Sequence, residues 1–407
     1  MRYVFITDEL PRPGTSGHLA LNFAILSWLQ AQGHEVTVLL LGARMSWPLE
    51  RYDLAPVAGP QVKKLGNHLL VTSALAIARI LLRALVRRLP FVLSTKLRTA
   101  RQGADTVLGR FCTKPEARWC ARFIARTRPD AVLVDTIFRA PILAEPELAG
   151  VNSVLIAHDV FHRRHRALLT AGYSVQPRQL TREDEAALAS HARHIAAIQP
   201  DEAALLAAMC PAQNVFTAPM PALPCPALPG TSRLKGRLVF VGSDSLPNLD
   251  GLRWFLADVW PLLRPHGITL DLVGDCGPAL RQLPDGVTRL GRVNGLAVVL
   301  HRAALAISPL RVGSGLKIKL LDYARHGLFT VATPPSLQGF APDEAEPFIA
   351  AETATAFANA VLFQIKAPAT PDAALAYIAR HYGVAASFAG LGAALGLRSH
   401  ASRMPVT

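Results

Sequence analysis

The sequence predicts an α/β protein built from two successive parallel-sheet units that face a central cleft. Three observations predict it: a strand–loop–helix–strand opening, the restart of that pattern after a proline-rich segment, and a length that suits two cores. At 407 residues the chain exceeds one ordinary core. Its composition, 51% hydrophobic and 18% charged, is that of a well-buried globular protein rather than a disordered one.

The opening reads as a strand from Tyr3 to Thr7, a loop over Pro11-Arg12-Pro13-Gly14-Thr15-Ser16-Gly17, a helix from about His18 to Gln32, and a strand from Glu35 to Leu41. Ala131–Asp135 and Ser153–Ala157 are short apolar runs that end at polar residues, as buried parallel strands do; ligands sit beyond such carboxyl ends. Between Ala218 and Arg237 five prolines abolish any period, which marks a boundary. A strand restarts at Leu238–Ser243. It is followed by a helix from about Asp250 to Leu263, strands at Thr269–Val273 and Ala304–Ser308, a helix from about Leu316 to Arg325, a strand at Phe329–Ala332, and closing helices from Thr353. The expected organisation is a first unit over 1–217, a linker over 218–237, a second unit over 238–380, and a helix and tail over 381–407.

The net charge of +14 is concentrated. From Gly59 to Arg128 fifteen lysines and arginines face two acids, Asp105 and Glu116, nearly the whole excess. Within this basic segment, set at 60–128, the longest apolar stretch is His68–Arg88. In a helix Arg79, Arg83 and Arg87 share one face and Leu75, Ala78, Leu82 and Leu85 another. Spanning a bilayer would put two arginines in hydrocarbon, at roughly 2.5–3.5 kcal/mol each. An amphipathic helix on an anionic membrane surface fits better, with Arg79, Arg83, Arg87 and Arg88 as the membrane or acceptor surface. The duller alternative packs the apolar face on the core and leaves the arginines in water. Aromatic residues are too sparse here for nucleic-acid stacking.

The five cysteines, Cys112, Cys120, Cys210, Cys225 and Cys276, form no CxxC and no zinc-spaced cluster. With acidic residues at Asp8 and Glu9 where a signal peptide would still be apolar, they point to a cytoplasmic protein, and the basic amphipathic segment adds a peripheral place at the inner face of the plasma membrane. His158, His162 and His165 invite a metal reading. Arg163, Arg164 and Arg166 crowd them, and Asp159 is the one carboxylate nearby in sequence, so no metal site is expected.

Ile307 to Gly327 reads as a strand, a glycine turn and a helix start. Glycines let backbone N–H groups approach an anion, a helix N-terminus adds its dipole, and Arg311 and Lys319 bracket that anion with full charges. Spacing alone says phosphate; it is neither a Walker loop nor a GxGxxG. Arg311 and Lys319 as solvated surface charges, and Asp322 as an ordinary helix residue, remain open on these grounds.

Four motifs stand in order: Phe240-Val241-Gly242, Pro247-Asn248-Leu249-Asp250, Val273-Gly274-Asp275, and Arg311 through Asp322. From about Gly236 to Gly327 the chain thereby resembles the donor domain of family 4 type GT-B glycosyltransferases, the bacterial polysaccharide and lipid-linked sugar assembly group. Upstream, Ala157-His158-Asp159-Val160 resembles the family's H-D-V. The resemblance implies the GT-B arrangement of two Rossmann-like domains, with the acceptor in the N-terminal one and a UDP- or GDP-sugar in the C-terminal one. It implies retaining transfer without a metal, no tightly bound cofactor, and a saccharide or polyprenyl-diphosphate-linked acceptor.

It further implies donor binding by Gly14, Gly17, Gly242, Gly274, Arg311, Gly313, Ser314, Gly315 and Lys319, with His158 and Asp322 as catalytic residues. Two departures stand out: Ser314 and Asp322 replace two glutamates, and Ser243-Asp244-Ser245 stands where relatives carry a basic residue. They keep a non-catalytic GT-B-like assembly protein as an alternative, beside a UDP-sugar 2-epimerase-like enzyme.

Overall fold

The computed structural model describes residues 1–13, 17–88, 106–170, 172–277, 280, 282–312, 316–340, 343 and 346–397. Gly14, Gly313, Ser314 and Gly315 lie outside the described residues, as do the side chains of Arg83, Arg87 and Arg88. The chain divides into two compact units, Met1–Pro219 with Phe388–Thr407, and Met220–Ser387.

The first unit is built on a seven-stranded parallel sheet in the order Asn214–Thr217, His194–Ala197, Ser153–Ala157, Ala131–Asp135, Arg2–Glu9, Glu35–Arg44, Val57–Ala58. Its central strands are apolar on both faces because both are covered: Phe5, Ile6, Val38, Leu133 and Leu155 are fully buried. Tyr3–Ile6 pair with Ala131–Val134, and Arg2–Thr7 with Glu35–Leu40. The carboxyl ends of the three strands therefore place Asp8, Gly42 and Asp135 together at one edge of the sheet.

Beyond Glu35–Arg44 comes a small antiparallel sheet, Leu49–Arg51, His68–Val71, Val62–Leu65. The helix Ala74–Arg88 follows. Ile80, 1% exposed, anchors it, whereas Leu75, Leu81, Leu82 and Leu85 are 61%, 43%, 59% and 61% exposed. The apolar face read from the sequence thus points outward, which overturns the alternative in which it packs on the core. Among the described residues no helix is long and apolar enough to cross a membrane.

The second unit holds a six-stranded parallel sheet in the order Val287–Gly291, Thr269–Val273, Arg237–Val241, Leu305–Ser308, Thr330–Ala332, Phe348–Ala350. The helix expected from Asp250 begins earlier, at Leu246, and runs to Trp254. It then widens into a π turn, Phe255–Val259, before resuming as Trp260–Leu263. Pro261 explains the widening: it has no N–H to donate to the fourth carbonyl before it, and its ring would strike that carbonyl.

The earlier start puts Asn248 in the first turn, where it is buried.

The last described helix, Val384–Ala394, crosses from the second unit to the first. Phe388 lies against Trp28, ring centroids 5.0 Å apart, and Asn152 Nδ2 donates to the Ala394 carbonyl at 3.1 Å.

Candidate functional site

In the second unit a cavity of about 550 Å³ opens where the strands Arg237–Val241 and Thr269–Val273 end. Gly242, Asn248, Gly274, Lys317, Lys319 and Asp322 are on its wall. Two glycines set its floor. Gly274 has φ +90°, and a Cβ there would meet the Gly242 carbonyl oxygen at 2.4 Å; a Cβ on Gly242 would meet the Phe240 ring at 2.6 Å. Gly274 lets the two strand ends lie against each other, and Gly242 leaves room for the Phe240 ring and the Asn248 amide beside them.

Lys319 sits in the first turn of the helix Ile318–Arg325. Its Nζ donates to Asn248 Oδ1 at 2.6 Å and lies 4.3 Å from the centroid of the Phe240 ring. Asn248 is oriented for this by its own amide, whose Nδ2 donates to the Ser243 carbonyl at 3.1 Å. Burial pushes the Lys319 ammonium down to about 7. The strand end and the helix are locked together by the Val241 amide, which donates to the Tyr323 hydroxyl at 2.7 Å.

One turn on, burial raises the Asp322 carboxyl above the ordinary carboxylate range, with Arg325, 3.9 Å away, working against the shift. Asp275, also on the wall, is already held by Arg292, at 2.8 and 3.1 Å from Nε and 2.5 Å from Nη2. What remains is a glycine-floored recess with lysine charge on one side and a carboxylate acceptor a helical turn away, suited to an anion joined to a hydroxylated group.

Of the residues singled out from sequence, Gly242, Gly274, Lys319 and Asp322 come together here. Arg311 is exposed and is not on the cavity wall. Lys317 and Asn248 were not singled out as site residues. Asn248 had a signal, the Pro247-Asn248-Leu249-Asp250 motif; Lys317 had none, because a lysine next to a glycine turn looks like any solvated charge.

In the first unit His158 follows the strand Ser153–Ala157. Its Nε2 is 3.0 Å from Asp135 Oδ1 and 3.1 Å from Asn22 Oδ1, and Thr7 Oγ1 donates to Asp135 Oδ2 at 2.8 Å. Burial alone would raise the Asp135 carboxyl, but the bonds and charge of His158, with Thr7 and Asn22, hold it below the ordinary value. Gly17 opens the helix Gly17–Ala31, which carries Asn22 and also brings the His18 ring to 5.8 Å from that of His158.

The other two histidines turn elsewhere. His162 Nδ1 lies 2.7 Å from Glu185 Oε2, and His165 Nε2 lies 3.0 Å from the Pro177 carbonyl. The carboxylate beside His162 is therefore Glu185, more than twenty residues downstream, rather than Asp159, whose partner is Arg164 at 3.0 Å. A different set, Cys225, His301 and His326, has ligand atoms within 4.8 Å of one another. Their wide separation in sequence hides them from any spacing rule.

Residues 235–366 match the family model described as Glycosyl transferases group 1. A comparison with curated proteins gives no match. Among solved structures the chain is similar to sucrose-phosphate synthase from Thermosynechococcus elongatus, at 16% identity over 96% of this chain and 97% of that one, TM-score 0.62. It is also similar to HepE from Anabaena in complex with UDP and glucose, at 12% identity over 97% and 99%, TM-score 0.61. A third is WaaG, a glycosyltransferase involved in lipopolysaccharide biosynthesis, at 16% identity over 98% and 100%, TM-score 0.54. At these identities the likeness is one of fold.

Proposed function

We propose that the chain is a glycosyltransferase of the GT-B fold that moves a sugar from a UDP- or GDP-sugar to a saccharide or lipid-linked acceptor in cell-surface polysaccharide synthesis. The observation that carries the donor side is the Lys319–Asn248 pair at the rim of the glycine-floored cavity. Lys319 and Lys317 meet the diphosphate, and Asp322 accepts the ribose hydroxyls. Arg311, exposed in the described chain, comes to the phosphates from outside the cavity wall. Gly14, Gly17, Gly313, Ser314 and Gly315 are assigned to donor binding on the motif resemblance, as are the retaining course and the independence from metal.

His158, with Asp135 behind it, serves the transferred sugar. As the leaving diphosphate gains charge, lysine groups that are already placed stabilise it without reorganising. HepE holds UDP in its crystal, in keeping with a uridine donor here.

The acceptor side rests on the helix Ala74–Arg88, which turns four leucines outward beside Arg79 in a strongly basic segment. Such a surface suits an anionic membrane, at whose cytoplasmic face a polyprenyl-diphosphate-linked sugar would lie. The five cysteines are all unpaired, as in a reducing compartment.

A thermal-shift screen against nucleoside diphosphates and nucleotide sugars tests the donor reading, because a ligand that binds only the native state raises apparent stability. UDP or GDP is expected to raise Tm in the native protein and not in Lys319→Ala. A shift of equal size in both would sink the assignment.

A further inference from the structure

The first unit carries a cavity of about 700 Å³ that the donor reading does not use. It lies at the same carboxyl edge of the sheet as His158, between the strand ends at Asp8 and Gly42, the helix Ala74–Arg88 and the start of the helix Lys114–Thr127. Arg79, Arg110, Arg122 and Arg139 are on its wall with two aromatic rings, Phe111 and Trp119.

Two carboxylates also line it, and both are taken. Asp8 is paired with Arg139, and Glu116 accepts the amide and the hydroxyl of Thr113, each at 2.8 Å, in the capping box of the following helix. The side chains of Arg110 and Arg122 are exposed and, among the described residues, make no hydrogen bond or ion pair. The cavity therefore presents guanidinium charge that its own acids do not neutralise.

Arg139 is built in rather than draped over the surface. Its side chain is 5% exposed, it is fastened to Asp8, and its Nη1 donates to Thr136 Oγ1 at 2.9 Å. Thr136 has φ 63° and ψ 160°, a conformation that costs a non-glycine residue free energy. The strain is kept where the chain leaves the strand of Asp135 and turns to deliver Arg139. The rings are likewise fixed: Phe111 packs edge-on to Phe138 at 5.2 Å, and Trp119 stacks on Phe123 at 5.6 Å.

We propose that this cavity is an acceptor site for a phosphate-bearing saccharide, with Arg110, Arg122 and Arg139 on the phosphate and Phe111 and Trp119 against the sugar. Guanidinium forks match phosphate oxygens two at a time, and apolar sugar faces pack on aromatic rings. The volume suits one or two sugar rings with their phosphate. One wall is the helix whose leucines face outward, so a lipid tail on that phosphate would leave the cavity toward the surface on which those leucines lie. The word acceptor rests on the glycosyltransferase reading; the binding chemistry does not.

Isothermal titration of the full chain tests it, using inorganic pyrophosphate, geranyl diphosphate, glucose 1-phosphate and glucose as probes. Each is titrated in the presence of saturating UDP and again, without UDP, in Lys319→Ala. The phosphate-bearing probes are expected to bind in both settings and glucose not to. In Arg110→Ala with Arg122→Ala their affinity falls about a hundredfold, roughly tenfold per lost charge-assisted contact. Both substitutions are on exposed side chains and leave the fold intact.

Tighter binding of geranyl diphosphate assigns the phosphate to the lipid end; tighter binding of glucose 1-phosphate assigns it to the saccharide. Binding that saturating UDP abolishes, or that the double variant leaves unchanged, overturns the proposal. Failure of UDP itself to bind would count against the donor reading and leave the arginine titration readable.

Discussion

His158 and Arg139 are anchored by neighbouring residues at the same two strand ends. Asp135, bonded by Thr7, holds the histidine, and the next residues, Thr136 and Asp8, hold the arginine. Alternation along a strand sends consecutive side chains to opposite faces, so one pair of strand ends equips both sides of the sheet edge.

Asp135→Asn is expected to keep the shape of this arrangement and lose its charge. Transfer should fall about a hundredfold, as when a histidine loses the carboxylate that orients it, while nucleotide affinity stays unchanged. The same variant has a signature in stability. A carboxyl whose folded pKa lies below its unfolded value of 3.8 contributes stability that is present above that value and lost as pH falls toward the folded pKa. Urea midpoints should therefore drop more steeply below about pH 4 in the native protein than in Asp135→Asn. Parallel profiles would show that the pair is not formed.

Lys319 should make nucleotide binding consume protons. With its free pKa at about 7, the ammonium is largely neutral at pH 8, and a diphosphate beside it raises that pKa. UDP affinity should weaken as pH rises above 7, and titration at pH 8 in buffers of different ionisation enthalpy should report proton uptake. Lys319→Met is expected to lose the uptake and at least about tenfold in affinity. Binding without proton exchange in the native protein would contradict the placement of this lysine.

Gly274→Ala should destabilise the second unit by about 2–4 kcal/mol, because the new methyl meets both an unfavourable φ and a carbonyl oxygen 2.4 Å away. Gly267→Ala provides the comparison. Its φ is +68° with nothing within 4 Å, so only the conformational cost of about 1 kcal/mol applies. Equal urea midpoints for the two variants would mean that the close approach of the strand ends is absent.

Leu82→Glu with Leu85→Glu should leave Tm unchanged, since both side chains are more than half exposed, and should abolish flotation with anionic liposomes. Flotation that persists, or that never depended on lipid charge, would remove the membrane from the account.

Much of the fold was legible because strands such as Ala131–Asp135 and Thr269–Val273 are continuous apolar runs bounded by polar ends. The helix holding Asn248 begins at Leu246, four residues before the start expected from periodicity, because Pro247 stands inside its first turn, where its missing N–H costs nothing. Periodicity finds the apolar face of Ala74–Arg88 but not what covers it, so the exposure of Leu75, Leu82 and Leu85 is legible in the structure alone. The arginine cavity was hidden for a related reason. Arg110, Arg122 and Arg139 occur among many arginines, and only the register of two strands identifies the one that is buried.

The passage of the last helix back to the first unit bears on how the protein is made. Residues up to Pro219 leave the ribosome first, yet Trp28 stays uncovered until Phe388 is synthesised, after the whole second unit. The unit that begins earliest is completed last. During synthesis its open apolar seam is a place for a chaperone to act, and a chain shortened before Phe388 would keep that seam for good.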